Sequence, residues 1–553
     1  MKKLKSGRFR VGRRHFVRLT SAGVAGVYFT GCDNGGGSDG GVDAGGDDAG
    51  SGDAGVDASA AIERVQALVI GSGFGGSIAA LRLAEADIPV TILERGRRWE
   101  ITDAFDTFTT TQNPDARCAW MHSEPVLPGF PPIRLRNAPY VGLLQRVFGT
   151  NIDAVCAAAV GGGSLVYSGL MLQPPRAAFE SVFPSEVGYD EMNDTYYPRV
   201  KAIMQPGRLS DTTLASANYA GARIFIRDAE AAGLDVERVE CAFDFDRIDE
   251  EIAGAFPYAQ ASVGDYLYGL NNGAKHSIDR VGYLTMAEAT GMVTVRPQHQ
   301  VTEVGQRSDG GYYALAELID EHGRVMSYTR FEADLLFMAA GSLNTTRLLL
   351  KAKRDGTLPM LNDQIGQAWG NNGQRILMRG ELSEETGAEQ GGPACIFVHH
   401  HDNPEGVIGM EYGPAQIGFE THGLISATQG VPDRLGSLEL NDRDEVVPVW
   451  DRDNDASAGR AARHTLQTMI DASEGAFSTL PGLDDPSITF HPLGGVTMGR
   501  ATDTFGRVMG YSHLYVVDSA LIPGSTPASN PFWTIAAIAE RCMDTIITED
   551  LSP

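Results

Sequence analysis

The sequence is poor in basic residues and in cysteine. Lys and Arg number 45 against 71 Asp and Glu, which gives a formal net charge of -26. An acidic body repels phosphate backbones, so no nucleic-acid partner is expected. Five of the six cysteines lie beyond residue 100 and form no Cys-x-x-Cys pair. This spacing argues against a zinc site and against a disulfide scaffold. One or two disulfide bonds between these cysteines are still compatible with the sequence.

The sequence also offers no metal-binding pattern and no long apolar run near its N-terminus. The run His399-His400-His401 predicts a solvated loop, because adjacent residues cannot all face one ion. The apolar stretch from Leu19 to Phe29 is too short to span a bilayer. We therefore predict neither a metal centre nor a membrane span from these segments.

Residues 1–32 have the layout of an export signal. Eight basic residues and no acid occur here, and the pair Arg13-Arg14 precedes the apolar stretch, as in twin-arginine signals. The alternative is a basic amphipathic arm. Phe29-Thr30-Gly31-Cys32 resembles a bacterial lipobox with an atypical first residue. We predict a signal peptide, a lipid anchor on Cys32, and a periplasmic, cell-surface or extracellular protein.

Residues 33–60 contain ten Gly and seven Asp, with no aromatic residue and no Lys or Arg. Such a segment cannot bury enough apolar surface to offset the entropy lost on ordering. It predicts a disordered linker between the anchor and the rest of the chain.

A glycine-rich turn follows the first buried strand. The apolar run Val65 to Ile70 leads into Gly71-Ser72-Gly73-Phe74-Gly75-Gly76 and then into a helical pattern. A second apolar run follows and ends at Glu94, 18 residues after Gly76. This is the dinucleotide fingerprint in its full context, where the glycines permit close approach to a pyrophosphate and the acid accepts from a ribose hydroxyl.

Two further segments place small residues after apolar ones. Val160-Gly161-Gly162-Gly163-Ser164-Leu165-Val166 presents bare backbone amides that can lie against a ring or a phosphate. Leu335 to Leu343 has the form of a buried strand followed by a helix capped near Ser342. An ordinary turn remains the alternative for the second segment.

The chain resembles the glucose-methanol-choline (GMC) flavin oxidoreductases, and among them the bacterial cholesterol oxidases. The resemblance covers roughly residues 62–550 and follows the family's order. The motifs are Gly71 to Gly76 with Glu94, Ala159 to Val166, Tyr268 to Gly273, His299 to Val301, Ala340 to Leu343, His491 to Gly495 and Leu521 to Ser525.

The resemblance implies an α/β fold with two domains. A Rossmann-like domain binding noncovalent FAD would take residues 61–100, 277–370 and 500–553. A discontinuous α+β substrate-binding domain built on a large sheet would take residues 101–276 and 371–499. The predicted cofactor-binding residues are Gly71, Gly73, Phe74, Gly75, Gly76, Glu94, Gly162, Gly163, Ser164, Tyr167, Val301, Gly341, Asp518 and Phe532.

Oxidation of an alcohol by hydride transfer to flavin N5 requires a group that takes or hydrogen-bonds the hydroxyl proton. His491 is the candidate, because imidazole titrates near neutral pH and Pro492 with two glycines places it on a tight turn. The family's His and Asn pair maps onto His491 and Asn530. Asp518 ends an apolar strand beside the expected cofactor, and a helix cap is its alternative role.

Cholesterol oxidases also move a double bond, which needs a carboxylate that shuttles a proton between carbons. Glu411 lies in an apolar strand where the family places that acid, and burial there should raise its pKa. Its alternative is an exposed position on an alternating strand, and Glu420 is the second candidate for the acid.

The sequence thus predicts oxidation of a 3β-hydroxysteroid such as cholesterol to the 3-ketosteroid, with oxygen as acceptor and Δ5 to Δ4 isomerisation. One alternative is a dehydrogenase of another bulky alcohol that passes electrons to a quinone or cytochrome. Another is a surface lipoprotein that binds sterol or flavin without turnover. We expect a monomer that contacts a membrane only peripherally, through Cys32 and the proline-rich loop 124–133.

Overall fold

The structure is a computed structural model that describes residues 61–121, 138–478 and 488–551. These ranges fall within one unit, residues 59–553. The predicted signal peptide, linker, Cys32 anchor and loop 124–133 lie outside the described residues. Within them, no helix combines the length and the apolar character that crossing a membrane requires.

The described residues form nineteen strands and eleven α-helices. The strands are β1 Ala61–Ile70, β2 Val90–Leu93, β3 Leu144–Val147, β4 Asp153–Ala157, β5 Asp235–Arg238, β6 Val293–Arg296, β7 His299–Gln306, β8 Tyr312–Ile319, β9 Val325–Met338, β10 Gln367–Trp369, β11 Arg375–Gly380, β12 Ile396–His400, β13 Ile408–Gly413, β14 Leu424–Gln429, β15 Gly436–Leu440, β16 Val446–Val449, β17 Ala476–Ser478, β18 Ile488–Thr489 and β19 Leu514–Val516. The helices are α1 Phe74–Glu85, α2 Arg176–Val182, α3 Tyr189–Glu191, α4 Tyr197–Met204, α5 Asp211–Ala215, α6 Ala220–Ala231, α7 Phe245–Ile252, α8 Tyr283–Ala289, α9 Gly341–Arg354, α10 Ala456–Ala472 and α11 Phe532–Thr545.

A seven-stranded sheet carries the glycine-rich turn. Strands β6, β2, β1 and β9 pair in parallel in that order, β19 pairs parallel to the end of β9, and β8 and β7 continue from β9 as antiparallel strands. Helices α1, α8 and α11 pack together beside it. The carboxyl ends of β1, β9 and β19 therefore meet at one edge, where open α/β sheets bind their ligands.

The second sheet is antiparallel and has six strands, in the order β17, β11, β14, β13, β12 and β5. Helices α6 and α10 cover one of its faces and enclose an apolar cluster. Side chains alternate between the two faces of a strand, so Met410 and Tyr412 point toward that cluster and Glu411 points to the other face.

The predicted fold class is confirmed: the described residues contain a Rossmann-like sheet and a large second sheet whose strands come from separate parts of the chain, together with two three-stranded sheets. The proposed domain boundaries stay a prediction. The expectation of a cap near Ser342 is wrong, because α9 begins at Gly341 and the Ser342 hydroxyl donates to the Gly494 carbonyl instead. Asp518 accepts from the Gly341 amide and takes the capping role from a distant part of the chain.

Candidate active site

Two glycine loops touch at the carboxyl edge of the first sheet. Gly71 has φ +101, and a Cβ there would lie 2.3 Å from the Ala339 carbonyl oxygen, so only glycine fits this turn. The second loop approaches from residues 161–163, where a Cβ on Gly162 would lie 2.9 Å from the Gly73 Cα. The Ser72 hydroxyl joins the loops by accepting from the Gly161 amide over 3.1 Å.

The glycines at this junction divide into two groups. A Cβ on Gly75 would meet the Val517 carbonyl oxygen at 2.1 Å, and one on Gly76 would meet the Gly71 oxygen at 2.0 Å. A Cβ on Gly73, Gly163 or Gly341 would meet nothing within 4 Å. Open space therefore lies along the glycine loops beside the first turn of α1, which has no side-chain cap and no acidic residue.

Glu94 closes the turn between β1 and α1 from the end of β2. One carboxylate oxygen accepts from the amide and the hydroxyl of Ser72, at 3.1 and 2.7 Å, and the other accepts from the Gly96 amide at 2.8 Å. A carboxylate offers about four acceptor positions, so one remains for a further donor. The predicted role toward a ribose hydroxyl is compatible with these contacts.

Three aromatic rings meet where α1, the second glycine loop and α11 come together. The ring centroids of Phe74 and Phe532 are 5.2 Å apart, and Tyr167 lies 5.9 and 5.0 Å from them. The Tyr167 hydroxyl donates to the His276 carbonyl. Phe74, Tyr167 and Phe532, which are all predicted to bind the cofactor, therefore contact one another in one aromatic cluster.

His491 follows the short strand β18 and is surrounded by protein, although its ring keeps some accessible surface. Burial lowers the pKa of His491 to about 4, so the ring is neutral at neutral pH. Its Nδ1 lies 3.3 Å from the side-chain nitrogen of Asn372, and no described residue hydrogen-bonds its Nε2. The ring is therefore held at one nitrogen and free at the other.

Glu411 and Asn530 form a pair on the face of the second sheet opposite to α6 and α10. The Asn530 amide nitrogen donates to a Glu411 carboxylate oxygen over 3.1 Å. Glu411 is 8 % exposed, and burial raises its pKa to about 7 against the smaller opposite effect of Asn530. The Asn530 side-chain oxygen is buried and lacks a partner among the described residues. The Glu411 carboxyl, with a pKa of about 7, therefore lies beside the Asn530 amide, whose oxygen has no hydrogen-bond partner among the described residues.

The sheet face around Glu411 is apolar. The strand register puts Ala427 opposite Glu411, Ile376 opposite Ala427, and Ile425 opposite Met378. All four apolar side chains are partly accessible, in contrast to the buried residues on the covered face. A bulky apolar group can contact this face next to the Glu411 carboxyl.

The other candidates have structural partners. Glu420 accepts from the amides of Thr386, Gly387 and His422 in an exposed turn, which lowers its pKa and makes it a poor base. Asp518 accepts from Gly341, Thr345 and Ala520, although burial still raises its pKa to about 6. Its alternative role as a helix cap is therefore present in the structure.

Two residues predicted to bind the cofactor, Ser164 and Val301, are buried and hydrogen-bonded to other parts of the protein, and their role toward the cofactor stays a prediction. Ser164 is buried, donates to the Gly161 carbonyl and accepts from the Ile278 amide. Val301 is buried at a bulge of β7, and its carbonyl accepts from Arg347 over 3.4 Å. Ser164 therefore shapes the second glycine loop from behind.

Sequence reasoning missed Asn372. It is fully buried with φ +61, and it contacts both His491 and the segment that carries Asn530. Its only sequence signal is the run Trp369-Gly370-Asn371-Asn372-Gly373, and asparagine before glycine is typical of an ordinary turn. Only the folded chain shows what its side chain contacts.

Comparison with known proteins agrees with this geometry. Residues 432–539 match the family model described as GMC oxidoreductase. Cholesterol oxidase of Acinetobacter baumannii is 22% identical over 87% of this chain and 94% of its own length. Cholesterol oxidase of Mycobacterium tuberculosis is 26% identical over 86% of this chain and 89% of its own length. Residues 432–539 therefore match the GMC oxidoreductase family, and most of the chain is similar to the two cholesterol oxidases.

Solved structures share the fold of this chain. Pyridoxine 4-oxidase from Mesorbium loti superposes with a TM-score of 0.58 at 15% identity, over 88% of this chain and 99% of that one. A formate oxidase variant from Aspergillus oryzae has a TM-score of 0.60 at 13% identity, over 88% and 99% of the two chains. At these identities the likeness concerns the fold alone.

The comparisons support FAD as the cofactor, and the described residues form a site that fits it. The uncapped start of α1 suits a pyrophosphate, since free amides and the helix dipole favour an anion there. The open glycines Gly73 and Gly163 allow close approach of a bulky group, and Glu94 keeps one acceptor position. Among the described residues, no group of three or more His, Cys, Asp or Glu side chains could hold a metal ion.

Proposed function

We propose that this protein is a GMC-type FAD enzyme that oxidises the hydroxyl of a 3β-hydroxysteroid such as cholesterol to the ketone and then isomerises the product. The observation that carries the proposal is the Asn530–Glu411 hydrogen bond on an apolar sheet face. A small polar alcohol would leave that face in contact with water, whereas the rings of a steroid would cover it. The two relatives named cholesterol oxidase support the same substrate class.

In this proposal His491, Asn530 and Glu411 have different roles. FAD, when bound, supplies the acceptor for the hydride of the alcohol carbon. His491 meets the substrate hydroxyl through its free Nε2, and Asn530 orients that hydroxyl with its unpaired side-chain oxygen. The buried Glu411 moves a proton between carbons during isomerisation, because its carboxyl is partly ionised near pH 7.

The proposal extends to the electron acceptor and to the location of the protein. Oxygen is the proposed acceptor, and an exported, Cys32-anchored enzyme would meet sterol at a membrane surface. The alternative is a dehydrogenase of another bulky alcohol that passes electrons to a quinone or cytochrome, since the apolar sheet face around Glu411 would suit any bulky apolar alcohol.

The proposal is tested by mixing the purified holoenzyme anaerobically with cholesterol in detergent and following the visible flavin band. We expect the band to bleach in the wild type and to persist in a His491→Gln variant that retains FAD. A wild-type band that persists with cholesterol but bleaches with another bulky alcohol would contradict the sterol assignment and favour the alternative. Oxygen uptake against dye reduction then distinguishes the two kinds of acceptor.

A further inference from the structure

Gln429 is a buried glutamine whose side-chain amide has no partner at either end. It is the last residue of β14 and is 0% exposed. Neither its side-chain oxygen nor its side-chain nitrogen has a hydrogen-bond partner among the described residues. A buried polar group without a partner is costly, so native proteins keep few of them. Gln429 therefore indicates that a polar group from outside the chain binds beside it.

The strand register puts Gln429 on the same sheet face as Glu411. Gln429 pairs with Gly409, and Ala427, two residues earlier on β14, pairs with Glu411. Side chains two residues apart on a strand point to the same face. Gln429 and Glu411 are thus diagonal neighbours, and such positions lie about 7–8 Å apart. Gln429 therefore borders the apolar face on which the substrate is proposed to lie.

Gln429 lies on the side of Glu411 that is nearer to His491. Gln374 precedes β11, and the register of β11 with β14 puts it beside Gln429. The Gln374 side-chain oxygen accepts from the amide of Phe490, directly before His491, over 2.8 Å. Gln429 is therefore situated between the Glu411 carboxyl and the turn that carries His491.

The segment that carries Asn530 covers this row of the sheet. A Cβ on Gly409, the strand partner of Gln429, would lie 2.8 Å from the Ala528 carbonyl oxygen. Asn530 itself donates to Glu411, and its side-chain oxygen also lacks a partner among the described residues. Two buried amides with unpaired atoms therefore lie near one carboxyl, within a largely apolar face.

An amide with both ends unpaired matches a hydroxyl group, because a hydroxyl donates and accepts at the same time. In the substrate-free enzyme a water has the same capacity. An apolar substrate that displaced this water would leave the amide unpaired, whereas a substrate hydroxyl would replace its hydrogen bonds. Sites that hydrogen-bond a substrate hydroxyl therefore select strongly against an analogue that lacks it.

We propose that Gln429 is a specificity-determining residue that binds a second hydroxyl of the substrate, distinct from the one that is oxidised. The preferred substrate is then a bulky diol whose second hydroxyl lies near the reacting end, because Gln429 is a diagonal neighbour of Glu411. In a steroid this hydroxyl belongs to ring A or ring B. The steroid skeleton in this inference rests on the proposed function; the second hydroxyl does not.

The test measures anaerobic flavin bleaching of the FAD-loaded enzyme by a set of related alcohols at limiting concentration. The set is cholesterol, cholesterol with an added hydroxyl in ring A or ring B in either configuration, and cholesterol with an added hydroxyl in its side chain. We expect at least one ring diol to react about 10²-fold faster than cholesterol. The side-chain diol controls for solubility and should match cholesterol. Ring diols that all react no faster than cholesterol would overturn the proposal.

Gln429→Met keeps the length of the side chain and removes both polar atoms. We expect this variant to react with the preferred ring diol about 10²-fold more slowly than the wild type and with cholesterol at least as fast, so that the preference disappears. Because no hydrogen bond of the side chain to a described residue is lost, FAD content and melting temperature should stay at wild-type values. An equal loss of rate on every alcohol would overturn the proposal.

Thr428→Val is the matched control. Thr428 is the adjacent residue, it is equally buried, and its hydroxyl also lacks a partner among the residues that the structure describes. Its side chain points to the opposite face, because Thr428 pairs with Met410 of the covered cluster. We expect the wild-type preference to remain. Its loss in this variant would mean that packing of β14, and not the Gln429 amide, sets the preference.

A bicyclic terpene alcohol and the corresponding ring diol separate this inference from the steroid assignment. If no steroid bleaches the flavin but the terpene pair does, the proposed steroid oxidation fails, and the ratio within that pair decides on Gln429. If cholesterol and all its diols react at one rate, steroid oxidation stands and the proposed role of Gln429 is wrong.

Discussion

Burial acts in opposite directions on the two titratable residues of the site. It lowers the pKa of His491 to about 4 and raises the pKa of Glu411 to about 7, because a low-dielectric surrounding disfavours the charged form of each. At neutral pH His491 is uncharged, and Glu411 is partly ionised. Above about pH 5 the ionisation of Glu411, and not that of His491, should control the chemistry.

Glu411→Gln should separate oxidation from isomerisation. We expect the variant to oxidise a 3β-hydroxy-5-ene steroid and to accumulate the unconjugated ketone, because a neutral amide cannot carry a proton between carbons. In the wild type the isomerisation rate should rise with pH through about 7, as the carboxylate forms. The ultraviolet absorbance of the conjugated enone reports both effects.

The raised pKa of Glu411 also makes the stability of the protein depend on pH. The folded Glu411 keeps its proton between pH 4.5 and about 7 while the unfolded one loses it, so this residue makes stability fall as pH rises across that window. Glu411→Gln should remove that contribution. Glu420→Gln, in an exposed turn, should leave isomerisation unchanged. Conjugated product from Glu411→Gln at the wild-type rate would show that another group moves the proton.

At the scale of elements, the turn between β1 and α1 uses glycine for two different reasons. At Gly71, Gly75 and Gly76 another part of the backbone lies so close that a Cβ atom would clash with it. Gly73 has an ordinary φ of -69 and borders open space, so nothing in the protein requires glycine there. Its role must lie in what fills that space.

Gly73→Ala should therefore weaken FAD binding without weakening the fold. We expect the apoprotein to keep the wild-type melting temperature and its FAD affinity to fall at least ~10-fold, which corresponds to about 1.4 kcal/mol. Calorimetry of the apoprotein and flavin titration measure the two quantities.

Gly188→Ala is the matched control, since Gly188 also has an ordinary φ of -66 and a Cβ there would meet only Glu191 at 3.8 Å. We expect it to change neither quantity. Gly75→Ala should lower the melting temperature through its clash with Val517. Wild-type FAD affinity in Gly73→Ala would show that the open space is not the cofactor's.

At the scale of the whole molecule, an acidic body follows a basic leader-like segment and a linker of Gly and Asp. We predict that the exported protein begins at a lipid-modified Cys32. Peptide mass spectrometry of the mature N-terminus checks this, and an unmodified N-terminus elsewhere would contradict it. A Cys32→Ser variant should lose membrane association while keeping wild-type activity, because residue 32 precedes the described fold.

The sequence predicted the Rossmann-like sheet because its signals are local. The strand before Gly71, the glycine turn, helix α1 and the acid at Glu94 follow one another within about 35 residues, and local periodicity and turn chemistry suffice to identify them. The hydrogen bond between Glu411 and Asn530 was not predicted, because 119 residues separate them and no local pattern links them.

The sequence alone indicates a dinucleotide site and an acidic body, and its family resemblance adds His491, Asn530 and Glu411 as candidates for the chemistry. How these residues are held follows from the tertiary structure. It assigned Asp518 to cap α9, exposed an apolar face around Glu411, and brought Asn372 within 3.3 Å of His491. The physical reason is that pKa shifts, unpaired buried atoms and open space arise from contacts between distant segments, which no local pattern encodes.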